Sequence, residues 1–204
     1  RRTAVRTLLA LLLAPLAALA AEPKVILEEK FDQELSKDWF WGLGTWNAKD
    51  GVLRGFESGA RRHGPVKVHR LPLKDGIVEA DFRLIGKASF AGIIFNGSQE
   101  RGHICHLVMT TKELRILAHP KKGENMELAK VTASLLPETW HHVRIVFSGD
   151  KLEASVDDHV IRAAAPCIAE EKLTFGLGGE SGGPTGEQAG ALEFRRLRVT
   201  STTP

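Results

Sequence analysis

Hydrophobic and polar residues alternate along most of this chain, in short runs broken by glycine or proline every several residues. That punctuation predicts β-strands rather than helices. In the stretch Ile77 to Ile85, Val78, Ala80, Phe82 and Leu84 share one face, and Glu79, Asp81 and Arg83 share the other. His141 to Phe147 repeats the pattern through Val143, Ile145 and Phe147. A Ser148-Gly149-Asp150 turn then leads into Leu152, Ala154 and Val156, and Asp157-Asp158 turns the chain again into His159-Val160-Ile161. Ala91 to Phe95 and Ile104 to Met109 are almost continuously apolar, as expected of central strands covered on both faces. Near the end, Leu192 and Phe194 lie in one alternation frame and Leu197 and Val199 in the other, so a β-bulge is expected at Arg195-Arg196. Glu124 to Leu136 is the one plausible helix, with β-branched Val131 and Thr132 counting against it. Gly178 to Gly190 reads as a loop between the last two strands. About a dozen short strands without a helical layer predict two packed antiparallel sheets, with a closed barrel as the alternative.

Composition refines this at the N-terminal side. Arg1, Arg2 and Arg6 precede a Leu/Ala run from Leu8 to Leu19, and Ala18 and Ala20 offer a small-residue cleavage site. Residues 1–20 therefore read as an export signal, too short to span a membrane comfortably, and residues 21–204 as a single domain. The expected location is periplasmic or extracellular, with no stable membrane insertion once the signal is removed. The chain carries 28 basic and 25 acidic residues, a net +3, and the three arginines of the signal account for all of it. Without them the balance is zero, which removes the electrostatic case for nucleic-acid binding; Arg61-Arg62 and Lys121-Lys122 are only short pairs. Cys105 and Cys167, 62 positions apart, could pair in an oxidising compartment, but two separate buried thiols fit the apolar run around Cys105 better. Oligomeric state is not legible.

Three phrases together resemble a known family. Phe31-Asp32, Trp39 and Trp46-Asn47-Ala48-Lys49-Asp50-Gly51-Val52-Leu53 form the first. Trp140-His141-His142-Val143-Arg144-Ile145, followed by Gly149, Leu152 and Asp157-Asp158, forms the second. Gly176-Leu177-Gly178 with Leu192-Glu193-Phe194-Arg195-Arg196-Leu197-Arg198-Val199 forms the third. Over about residues 31 to 199 the chain resembles the bacterial 3-keto-disaccharide hydrolase domains, and more distantly laminin G-like and family 16 glycoside-hydrolase sandwiches. The resemblance implies an all-β, two-sheet antiparallel jelly-roll sandwich of the concanavalin A-like kind, with carbohydrate or glycoconjugate as partner. The chain departs from that family on two strands. Phe90-Ala91-Gly92-Ile93-Ile94-Phe95-Asn96 stands where "N-S-G-I-x-F-R" is common, placing Asn96 at the arginine. Gly102-His103-Ile104-Cys105-His106 stands where "G-Y-E-x-Q" is common, placing His103 at an aromatic site position.

Glycoside cleavage usually needs two carboxylates about 5–10 Å apart. Glu79 and Asp81 are the candidate catalytic pair, since Glu79-Ala80-Asp81 resembles the first half of the family 16 "E-x-D-x-x-E" strand. The closing acid is missing, and Arg83 on the same face allows a salt-linked surface instead. Glu57, Glu100 and Glu187 are the loop acids that could complete a pair. Sugar rings stack on flat aromatics, and of Trp39-Phe40-Trp41 the third is expected to be exposed, whereas Trp46 and Trp140 match core positions. Trp41, Arg83, Asn96 and His103 are thus the candidate ligand-binding residues. His103 and His106, three apart, fall on opposite faces of an ideal strand, as do adjacent His141 and His142. Neither pair has ligand geometry without a bulge, so no metal site is expected. No cofactor is implied beyond calcium, to which Asp157-Asp158 could contribute, although acids at a hairpin tip are ordinary turn residues. Ser181, in Gly179-Glu180-Ser181-Gly182-Gly183, lacks nucleophile-elbow spacing. Three functions follow. A non-catalytic carbohydrate-binding domain using its concave sheet is favoured. A glycoside hydrolase acting on keto-disaccharides or polysaccharide comes next, then a laminin G-like adhesion module.

Overall fold

A computed structural model describes residues 22–58, 63–182 and 190–203. The expected export signal, Glu187, and the Arg61-Arg62 pair lie outside them. Within the described residues the chain forms fifteen strands: β1 Lys24–Glu29, β2 Trp41–Leu43, β3 Thr45–Lys49, β4 Val52–Phe56, β5 Val66–Leu73, β6 Gly76–Gly86, β7 Phe90–Asn96, β8 His103–Thr110, β9 Glu113–Ala118, β10 Met126–Thr132, β11 His141–Ser148, β12 Lys151–Val156, β13 His159–Ala164, β14 Lys172–Glu180 and β15 Gly190–Ser201. One 3-10 turn, Pro166–Ala169, precedes β14. None of the described helices is long and apolar enough to cross a membrane.

The strands form two separate antiparallel sheets, so the sandwich is realised and the barrel is not. The first runs β13-β12-β11-β6-β15-β4-β3, with β1 also paired to β15; the second runs β10-β9-β8-β7-β14-β5-β2. The frame slip in the last strand is a bulge. Pairing of β15 with β6 shifts between Arg195 and Arg198, and Arg196 takes a left-handed φ of 53°. The extra residue lets β15 serve β4 with Leu192–Phe194 and β1 with Leu197–Ser201. Asp50 and Gly51 both have positive φ, 53° and 81°, as a two-residue primed turn between β3 and β4 demands.

Between the sheets lie Phe82, Phe147 and Phe194 of the first and Ile93, Phe95 and Leu107 of the second, all essentially sealed from water. Phe95 meets Phe147 edge-on across the interface at 4.8 Å. Each such side chain contributes about 1.5–3 kcal/mol through burial alone. Cys105 and Cys167 are free buried thiols within this core.

Three local expectations change. The stretch expected to be helical contains β10, which pairs antiparallel with β9. With only sheets to pack on, its Leu128, Ala129 and Val131 bury better from an edge strand than from a helix. The loop expected from Gly178 starts later, because β14 continues to Glu180 against β7. Trp140 lies outside the core, with the Arg83 and Arg195 guanidinium groups both over its ring at 4.5 and 4.2 Å.

Candidate functional site

On its outer face, the second sheet carries a groove of about 470 Å³. Phe40, Trp41, Ile94, Asn96, His103 and Thr174 give it its character. The alternation of β7 explains its floor: Ala91, Ile93 and Phe95 point into the core, leaving Ile94 and Asn96 outward. The apolar run in β7 therefore serves a core on one side and a groove on the other, not two covers. Gly176 of β14, opposite Ile94, keeps the floor low.

Phe40 and Trp41 are the aromatic wall, 43% and 47% exposed, which is unusual for such large apolar side chains. Arg70 stacks on Phe40 at 4.0 Å. Trp39 does not join them: its ring is buried against Phe31, His69 and Phe175. The chain turns from Ser36 to Trp39, with Trp39 N–H donating to Ser36 O at 3.0 Å, and β2 begins only at Trp41, so the two tryptophans do not share one strand's alternation.

The polar side of the groove is a short relay. Asn96 Nδ2 donates to Thr174 Oγ1 at 3.0 Å, and Asn96 Oδ1 accepts from His103 Nδ1 at 2.6 Å. An amide oxygen can only accept, so His103 carries its proton on Nδ1 and presents a bare Nε2. Burial of the ring, reinforced by the neighbouring His119, holds His103 below the ordinary histidine pKa.

His103 and His106 lie on the same outer face, contrary to ideal-strand counting. Asn96 pairs with His103 but Phe95 pairs with Cys105, so Ile104 is an extra residue and β8 is bulged there. His119, just past β9, folds against both. The three ring centroids are 4.8, 5.4 and 4.6 Å apart. Burial and its two neighbours push His106 down to about 3, and burial lowers His119 as well. His119 was not recognisable from sequence, because only β8–β9 pairing brings it near.

Glu79, Asp81 and Arg83 are elsewhere, on the outer face of the first sheet. Register sets each acid opposite a base: Arg144 and Arg198 flank Glu79, Arg195 and His142 flank Asp81, and Arg83 lies opposite Glu193. Asp81, 6% exposed, accepts from Arg195 Nε at 2.9 Å and His142 Nδ1 at 3.0 Å, with Arg196 at 3.5 Å. Glu193, 4% exposed, sits between Arg54 at 2.7 Å and Arg83. Glu79 has looser partners, Arg144 at 3.6 Å and His142 at 4.0 Å. The structure thus brings Trp41, Asn96 and His103 together and separates them from Glu79, Asp81 and Arg83. Among the loop acids, Glu57 is buried with its N–H on Ser181 Oγ, and Glu100 is exposed beside the groove without lining it. Asp157 spends both oxygens within its own hairpin, on His141 Nδ1 at 2.6 Å and His142 N–H at 2.9 Å.

No family model and no curated protein matches the chain. Solved structures do. The carbohydrate-binding module CBM66 from Bacillus subtilis matches with a TM-score of 0.56 and 15% identity, over 76% of this chain and 89% of that one. A laminarinase from Flavobacterium sp. UMI-01 matches at 0.63 and 15%, over 86% and 99%. A prokaryotic β-1,3-1,4-glucanase (lichenase) from a mouse hindgut metagenome matches at 0.61 and 12%, over 87% and 99%. At such identities these likenesses establish the fold, a concanavalin A-like antiparallel jelly-roll sandwich.

Proposed function

We propose that this is an exported carbohydrate-binding domain that seats an uncharged glycan in the groove of its second sheet and does not cleave it. One observation carries the reading. An exposed Phe40–Trp41 wall faces the Thr174–Asn96–His103 relay, and no Asp, Glu, Lys or Arg is among the described residues lining the groove. Apolar C–H faces of a sugar stack on the wall, while its hydroxyls exchange hydrogen bonds with the amide, the imidazole and the threonine hydroxyl. Hydrolysis would call for a facing pair of carboxylates. The structural neighbours include proteins named as a carbohydrate-binding module and as glucan-cleaving enzymes, which is the company such a groove would keep.

The test is a neutral-glycan array with the purified protein, followed by calorimetry on the best ligand and a turnover assay. Trp41→Ala is expected to weaken binding by roughly tenfold or more, about 1.4 kcal/mol. Product release that survives Trp41→Ala but stops with Glu79→Gln or Asp81→Asn would overturn the reading.

A further inference from the structure

The histidine cluster beside the groove has more organisation than stacking requires. His119 Nδ1 lies 2.7 Å from the backbone oxygen of Glu124, and a carbonyl can only accept, so Nδ1 carries the proton and Nε2 is a bare lone pair. That Nε2 is buried without a hydrogen-bond partner, in a residue only 7% exposed. His106 Nε2 is likewise buried and unpartnered. His103 repeats the arrangement, with Nδ1 committed to Asn96 and Nε2 free of the relay. Buried polar atoms without partners are few in native proteins, and an ion is one of the things that resolves them. A ring nitrogen donating to a carbonyl while its counterpart stays bare is the state in which histidines hold metals.

We propose that His103, His106 and His119 form a binding site for a divalent transition-metal ion of the zinc, copper and nickel class, at the end of the groove. Ring spacing supports this. A nitrogen-bound imidazole has its centroid about 3.2 Å from the metal, so two of them at a tetrahedral angle stand about 5.2 Å apart. The observed separations, 4.6 to 5.4 Å, bracket that value. Among the described residues no three potential ligands already converge on one point. Loading therefore requires the His106 ring to turn about χ2, the soft torsion of histidine, with adjustments of His103 and His119 small enough that their Nδ1 atoms keep Asn96 and the Glu124 oxygen. A second cavity, about 280 Å³ and bordered by Gly102, His103, His119, Lys122, Glu124 and Asn125, provides an entry path.

Arg101 latches the frame, donating to His103 O at 2.9 Å and His119 O at 2.7 Å. Its charge is matched by Glu170 through two contacts of 2.6 and 2.9 Å, which reduces its repulsion of a bound cation. All-nitrogen ligands select borderline metals over calcium or magnesium, which prefer oxygen. Because His103 borders both cavities, a ligand in the groove would feel the ion, but the metal site does not rest on the glycan reading.

The test uses untagged protein stripped with a chelator, dialysed, and titrated with Zn²⁺ by calorimetry, with Ca²⁺ as the control. One equivalent of Zn²⁺ and no Ca²⁺ is expected. His106→Ala and His119→Ala should each weaken Zn²⁺ binding by roughly a hundredfold, and Asn96→Ala, which removes the partner of a ligand, by roughly tenfold. His142→Ala, on the other sheet, should leave it unchanged. Long-range ¹H–¹⁵N spectra of wild-type protein keep the test decisive if a variant unfolds: Zn²⁺ must shift Nε2 of these three rings and of no others. Absence of stoichiometric Zn²⁺, shifts confined to other histidines, or loss of binding with His142→Ala alone would overturn the proposal.

Discussion

Replacing Asp81 by asparagine separates the two roles open to the acidic face of the first sheet. Asp81 is nearly buried and holds Arg195, His142 and Arg196 with the distances given above. Removing one partner of a fully buried ion pair costs about 3–5 kcal/mol. Here the stranded partners Arg195, His142 and Arg196 are 29%, 54% and 73% exposed in their side chains, so water compensates part of the loss, and the amide oxygen still accepts one hydrogen bond. A cost of about 2 kcal/mol follows, roughly 4–8 °C in Tm for a domain of this size. Glu79→Gln is the internal comparison: its partners are 3.6 and 4.0 Å away and it is 30% exposed, so about 0.5 kcal/mol or less is expected. Urea and thermal unfolding read both values, while calorimetry on the groove ligand should find affinity unchanged in each. An Asp81→Asn protein with wild-type Tm, or one that loses a glycan-cleaving activity, would refute the structural role.

Other expectations follow from single contacts. A Cβ at Gly55 would stand 2.5 Å from the Trp46 indole, which packs over that strand, so Gly55→Ala should cost about 1–3 kcal/mol in urea unfolding. Burial outweighs the pull of the Asp38 carboxylate and lowers the pKa of His69, packed between Trp39 and Phe175. The unfolded chain then binds a proton near its ordinary pKa of about 6.5 that the folded chain refuses. Stability from this residue is complete above that pH and lost as pH falls below it, by at most about 1.4 kcal/mol per pH unit. Unfolding midpoints of His69→Leu should show a shallower decline over this window than wild type; equal slopes would count against the assignment. Burial, offset only in part by Lys172, pushes the Cys105 thiol up to about 12, and burial raises Cys167 as well. Native protein should therefore resist a thiol reagent at mildly alkaline pH and release two thiols on denaturation.

Alternation along the chain was enough to determine that it folds as strands and where most of them lie. Val78, Ala80, Phe82 and Leu84 must share a face because the side-chain period of a strand is two, and the frame slip at Arg195-Arg196 announced its bulge for the same reason. What period two cannot state is which sheet a strand joins, or what its outer face meets. Those depend on pairing between residues far apart, and they divided the candidate site. Trp41, Asn96 and His103 meet because β2, β5, β14, β7 and β8 are neighbours in one sheet, whereas β6 carries Glu79, Asp81 and Arg83 into the other. An extra residue in β8 turned His103 to the face of His106, and β8–β9 pairing delivered His119. The helix expected over Glu124–Leu136 gave way to the strand Met126–Thr132 for a related reason: its propensity was weak, and an open sheet edge offered its backbone partners and its apolar side chains cover. Local pattern chose the faces of each strand; long-range hydrogen bonding and core packing chose which of those faces would meet.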